Sequence, residues 1–170
     1  MLKFLGAVLI LTGGSSIGVC AAQELRQRSR ILEQFLAALD QIQAELSFRL
    51  TPMPELLRRL GQESEEPLKT FFQTCEAGLS ALGEVSFSVV WNRALQMEPL
   101  ALLPEDRIPL EQLGAVLGRY DAEGQRTTLE SVRVRLSQCL EDAREKQKKM
   151  GRVYRTLGVS AGVLCILLLL

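Results

Sequence analysis

Residues 25–46 read LRQRSRILEQFLAALDQIQAEL. Leu25, Leu32, Leu39 and Leu46 recur every seven residues, and Phe35, Leu36, Ala38 and Ile42 fill the neighbouring turns. That spacing is the apolar stripe of a long amphipathic helix, because residues three, four and seven apart share one face at 3.6 residues per turn. Thr51-Pro52-Met53-Pro54 must end it, since proline lacks a donor and biases the residue before it away from helix.

The same reading extends along the chain. Pro54 opens a short second helix through Leu60, with Gly61 placed to cap its end. Ser64 and Pro67 begin a third, running to about Ala81, and Ser86 caps a fourth that carries Phe87, Val90, Trp91, Ala94 and Leu95. Trp91 on this apolar face reads as a core residue. Pro99 and Pro104 close the section. Asp106 as N-cap and Pro109 in the first turn start a fifth helix with Leu110, Leu113, Val116, Leu117 and Tyr120 on one side. A sixth begins near Gln125 and runs on through a basic stretch, with Leu129, Leu136, Ala143 and Met150 in one series and Val132 and Cys139 in another. No period-two alternation persists for more than a few residues. The expectation is an all-α, six-helix bundle.

The two ends differ in kind from the middle. No charged residue interrupts Phe4 to Ala22, about 19 residues or roughly 28 Å of helix, close to the thickness of a bilayer core. From Thr156 to Leu170 the apolar run is about 15 residues, extended by Val153 and Tyr154 while Arg152 and Arg155 snorkel. The expected organisation is a transmembrane helix over 1–22, a helical domain over 23–155 and a second transmembrane helix over 156–170. The rival reading of the first segment is a cleaved signal peptide ending near Val19-Cys20-Ala21. Arg26, Arg28 and Arg30 follow the first span, and Arg144, Lys146, Lys148, Lys149, Arg152 and Arg155 precede the second. Positive charge on both flanks places the middle domain in the cytoplasm.

Composition narrows the function. Lys plus Arg and Asp plus Glu each number 20 in 170 residues, so no basic field calls for nucleic acid. Histidine is absent, which removes the commonest general base and metal ligand. The four cysteines form no CxxC pair. No P-loop pattern occurs, so any nucleotide hydrolysis belongs to another protein. The acidic group Glu63, Glu65 and Glu66 reads as the negative entrance to a helix, with metal ligation as the lesser alternative. Neither enzyme activity nor a cofactor is expected.

Candidate contact residues are glycines and their neighbours. Gly114 and Gly118, four apart on the fifth helix, allow another helix to approach closely or the backbone to turn. Asp121 and Gln125 can link the fifth and sixth helices or meet a partner. Gly14 and Gly18 in the first apolar segment, and Gly158 and Gly162 in the second, have the GxxxG spacing of close helix contact in lipid and of homo-oligomers built through it.

Several stretches resemble the stage III sporulation protein AB family of endospore-forming bacteria, over essentially the whole chain. They are MLKFLGA at 1–7, FRLTPMPE at 48–55, LGAVLGRYDAEGQ at 113–125 and RTLG at 155–158 before the Leu-rich tail. Met53 stands where the family pattern has Leu. The resemblance implies a bundle similar to the cytoplasmic domains of type II secretion platform proteins, and a place in the mother-cell membrane around the forespore. It further implies a channel complex joining mother cell and forespore, with a cytoplasmic secretion-type ATPase among the partners. On that reading the protein is a non-enzymatic scaffold. The alternative, from a different class, is a membrane-tethered sensor or adaptor whose helical domain binds a soluble ligand.

Overall fold

The computed structural model describes the backbone of residues 2–48, 51–80, 86–117 and 122–169, and side chains over 23–46, 51–79, 86–117, 126–151 and 153. Among these residues there are six helices and no strand: α1 (Leu2–Phe48), α2 (Met53–Glu63), α3 (Leu68–Ser80), α4 (Phe87–Met97), α5 (Pro104–Leu117) and α6 (Ala122–Leu169). Two compact units divide the chain, one of Met1–Gln27 with Asp142–Leu170, the other of Arg28–Glu141. Among the described residues no helix is long and apolar enough to cross a membrane. The apolar end segments lie outside the residues whose side chains are described.

The Arg28–Glu141 unit is held by the apolar stripes read from the sequence. Ile31, Leu32, Phe35, Leu39 and Ile42 of α1 are each at most 1 % exposed, and Leu129, Val132 and Leu136 bring the matching face of α6. Within the unit α2 packs on α3, α3 on α4 and α4 on α5. Aromatic rings fill the centre. Phe71 meets Trp91 edge to face with centroids 4.8 Å apart, and Phe35 meets Phe71 in the same way at 5.5 Å. Such pairs contribute ~0.5–1.5 kcal/mol each beyond the burial of their surface.

Three local features differ from the sequence reading. Gly61 lies inside α2, which runs on to Glu63. A Cβ there would stand 3.6 Å from Phe72, an ordinary contact, so Gly61 is a site of close helix approach and Ser64 is the C-cap. Ser86 occupies the N-cap position of α4, but its hydroxyl pairs with that of Ser88 at 2.9 Å and makes no side-chain cap bond. Asp106 is not the N-cap of α5, which begins two residues earlier at Pro104. Pro104, with its fixed φ, takes the first helical position, and Asp106 in the first turn accepts the Leu103 N–H while also pairing with a buried cation on another helix.

Candidate functional site

A buried bidentate ion pair in the Arg28–Glu141 unit joins α1 to the start of α5. Arg28 Nε donates to Asp106 Oδ2 and Arg28 Nη2 to Asp106 Oδ1, both at 2.7 Å. Arg28 is 3 % exposed and Asp106 fully buried. The fork geometry matches the guanidinium to the carboxylate in two parallel bonds. Asp106 Oδ2 also accepts the Leu103 N–H at 2.9 Å, which ties the α4–α5 linker to the same anchor. Hydrogen bonding to Asp106 raises the Arg28 pKa above its ordinary value against the opposing pull of burial. Arg28 Nη1 is buried and has no hydrogen-bond partner. Sequence reasoning counted Arg28 only as a charged membrane flank. Its neighbours Arg26 and Arg30 are indeed exposed.

This anchor holds a corner with apolar side chains in solvent. Met97 at the end of α4 is 69 % exposed, Ile108 in α5 53 % and Leu103 in the linker 37 %. Arg107 Nη1 donates to the Leu95 carbonyl at 2.5 Å and closes the corner from the other side. A fixed backbone presenting exposed methionine and isoleucine side chains is suited to receive a protein partner.

Gly114 of α5 lies directly against Trp91. A Cβ on it would fall 2.2 Å from Trp91 Cδ1, so the indole occupies the space a side chain would need. Trp91 Nε1 donates to the Leu110 carbonyl at 2.8 Å, one turn before Gly114. Gly118 and Asp121 lie outside the described residues, as does the side chain of Gln125, which belongs to α6. Gly14 and Gly18 fall in α1, and Gly158 and Gly162 in α6, on stretches whose side chains are not described.

The acidic group divides its work. Glu66 accepts from the Thr70 hydroxyl at 2.7 Å at the start of α3, Glu65 pairs with Arg30, and Glu63 accepts from Gln41. Among the described residues no three His, Cys, Asp or Glu side chains are grouped to hold a metal ion. Cys75 is fully buried, and desolvation pushes its thiol up to about 12. At neutral pH it is therefore a protonated, unreactive core residue.

The model of the stage III sporulation protein AB family matches residues 3–170. Stage III sporulation protein AB of Bacillus subtilis (strain 168) is 30 % identical over 172 residues, covering all of both chains. A solved structure of a stage III sporulation protein AB aligns with a TM-score of 0.67 at 25 % identity, over 72 % of this chain and 98 % of that one.

Proposed function

The chain belongs to the stage III sporulation protein AB family, and from that membership we propose that it is a non-enzymatic membrane scaffold of the sporulation channel complex. In this reading the two apolar ends span the mother-cell membrane around the forespore, and the helical unit stands in the cytoplasm between positive flanks. The α4–α5 corner is the docking surface for a cytoplasmic secretion-type ATPase. One observation carries the reading: the family match runs from residue 3 to 170 and so takes in both apolar ends as well as the helices between them.

The corner makes the docking claim specific. A photo-crosslinking residue at Met97 or Ile108, introduced in sporulating cells, is expected to capture the ATPase, and adducts with other subunits alone would reassign the corner to them. Adducts confined to second copies of this chain would sink the docking claim. The alternative, a membrane-tethered sensor or adaptor that binds a soluble ligand, calls for a buried polar cavity, and the groove beside α1 lined by Arg30, Gln34 and Glu63 is open to solvent.

A further inference from the structure

The last charged stretch of α6 leads straight into an apolar one. Over residues 142–155 six cations, Arg144, Lys146, Lys148, Lys149, Arg152 and Arg155, stand against two carboxylates, Asp142 and Glu145. No charged residue follows over 156–170. Asp142–Leu170 and Met1–Gln27 form one compact unit, and the latter adds Lys3, Glu24 and Arg26. Ion pairs within the unit therefore leave its cationic excess in place, whichever side chains make them.

Helical geometry sorts these charges. Asp142, Glu145 and Lys149, three and four apart, share one face, and Lys149 Nζ pairs with Glu145 at 2.8 Å. Arg144, Lys148 and Gly151 share another, and Arg155 takes the next register position on it. Arg144 and Lys148 are exposed, and with Gln147 they line an open groove of about 410 Å³. Among the described residues no carboxylate lines it. A Cβ at Gly151 would meet nothing within 4 Å, so nothing crowds this face on the side of the apolar run.

A guanidinium, an ammonium and an amide around one groove suit a phosphate group, since all three offer N–H donors and arginine meets phosphate oxygens in a fork. Position selects the source of that phosphate. At 1.5 Å rise per residue Lys148 stands ~12 Å before Thr156, and its flexible stem lets the ammonium reach further. The headgroup layer of a bilayer is itself ~5–8 Å deep. Val153, between the basic face and the apolar run, is 51 % exposed, an apolar side chain suited to the boundary of headgroups and acyl chains.

We propose that this face of α6 binds the phosphate headgroups of anionic phospholipids in the leaflet next to the helical domain. Polybasic segments beside a membrane helix are drawn to anionic lipid, and here the phosphate-binding groups gather on one side while the Glu145–Lys149 pair lies on the other. The inference rests on the proposed membrane reading and names the lipid class that reading leaves open. It holds whether or not an ATPase docks on the α4–α5 corner.

The test reconstitutes the full chain at low ionic strength into phosphatidylcholine vesicles that carry a trace of spin-labelled lipid. Resistance to alkaline carbonate extraction is checked first, and a chain that is extracted refutes the membrane reading and the lipid site with it. For an inserted chain, electron spin resonance compares the immobilised fractions of spin-labelled phosphatidylglycerol and phosphatidylcholine. A preference for phosphatidylglycerol of roughly threefold or more is expected, and Arg144→Gln/Lys148→Gln should lower it by at least half with unchanged helical circular dichroism. If that variant loses helicity, Lys148→Gln alone decides. The charge-matched control Lys69→Gln/Arg93→Gln, at two exposed cations of the Arg28–Glu141 unit, should keep the preference. Sodium chloride and inorganic phosphate at equal ionic strength should weaken it equally. The proposal is overturned if an inserted chain immobilises both lipids alike, if the α6 variants keep the preference, or if the control loses as much. Selective loss under inorganic phosphate would also overturn it, by making free phosphate the ligand.

Discussion

Removing the carboxylate of Asp106 tests whether the α1–α5 anchor holds the fold in the way its geometry implies. In Asp106→Ala, a guanidinium only 3 % exposed loses both of its 2.7 Å bonds. The nearest remaining anion is Glu105, 3.8 Å away and half exposed. Breaking one side of a buried ion pair costs ~3–5 kcal/mol. Partial compensation by Glu105 places Asp106→Ala near the lower end, about 3 kcal/mol. Arg28→Met strands a fully buried carboxylate with only the Leu103 N–H for a partner, and is expected to cost about 4 kcal/mol. The double variant Arg28→Met/Asp106→Leu removes both charges, and with them the unpartnered Arg28 Nη1. It gives up the Leu103 hydrogen bond, worth ~1 kcal/mol, and replaces the pair with apolar volume. Its loss should therefore be smaller than that of either single variant. Trp91, the single tryptophan and fully buried, reports unfolding by fluorescence during a urea titration of the full chain in mild detergent. Single variants within about 1 kcal/mol of the parent, or a double variant as unstable as the two singles added, would refute the reasoning.

Gly114→Ala forces a Cβ to within 2.2 Å of Trp91 and should destabilise by ~1–3 kcal/mol through overpacking. Gly151→Ala meets nothing within 4 Å and should stabilise its helix by up to ~1 kcal/mol, the two differing in sign in thermal unfolding. Cys75 should resist alkylation in the native state while the half-buried Cys139 reacts, as peptide mass mapping will show. Its thiol shifts from 9.0 to about 12 on folding, so its contribution to stability is complete below pH 9.0 and is lost as pH rises from there toward about 12; Cys75→Ala should flatten that alkaline decline. On the proposed membrane reading, replacing Gly14 and Gly18, or Gly158 and Gly162, with Leu keeps hydrophobicity but excludes close helix contact; insertion should persist while recovery of the complex falls, and unchanged recovery would make the apolar ends simple anchors. A cysteine replacing Gln62 should resist a membrane-impermeant thiol reagent in intact cells; ready labelling there would favour the cleaved-signal reading of the N-terminus.

The helices and their buried faces were legible in the chain because amphipathic periodicity is local: Leu32, Phe35, Leu39 and Ile42 announce a face at a spacing any 22-residue window contains. Prolines at 52, 54, 99 and 104 marked the breaks for the same reason, since each acts on its own backbone and its immediate neighbour. The family was legible too, through motifs in which residue order as well as type recurs. The chemistry that joins distant segments was not. Arg28 looks like one of three flanking arginines, and only the packing of α1 on α5, 78 residues away in the chain, makes it the buried partner of Asp106. Asp106 has the sequence context of an N-cap, but the helix begins at Pro104, so it lies in the first turn, holding the Leu103 N–H and a cation from another helix together. Gly114 needs Trp91 above it to be more than a helical glycine, and Gly61 needs α3. The groove beside Gln34 exists because α1 and the α2–α3 segment border it together. Periodicity states which side of a helix avoids water; it does not state what stands opposite, because that depends on how the other faces pack, and burial then sets the strength of each polar contact.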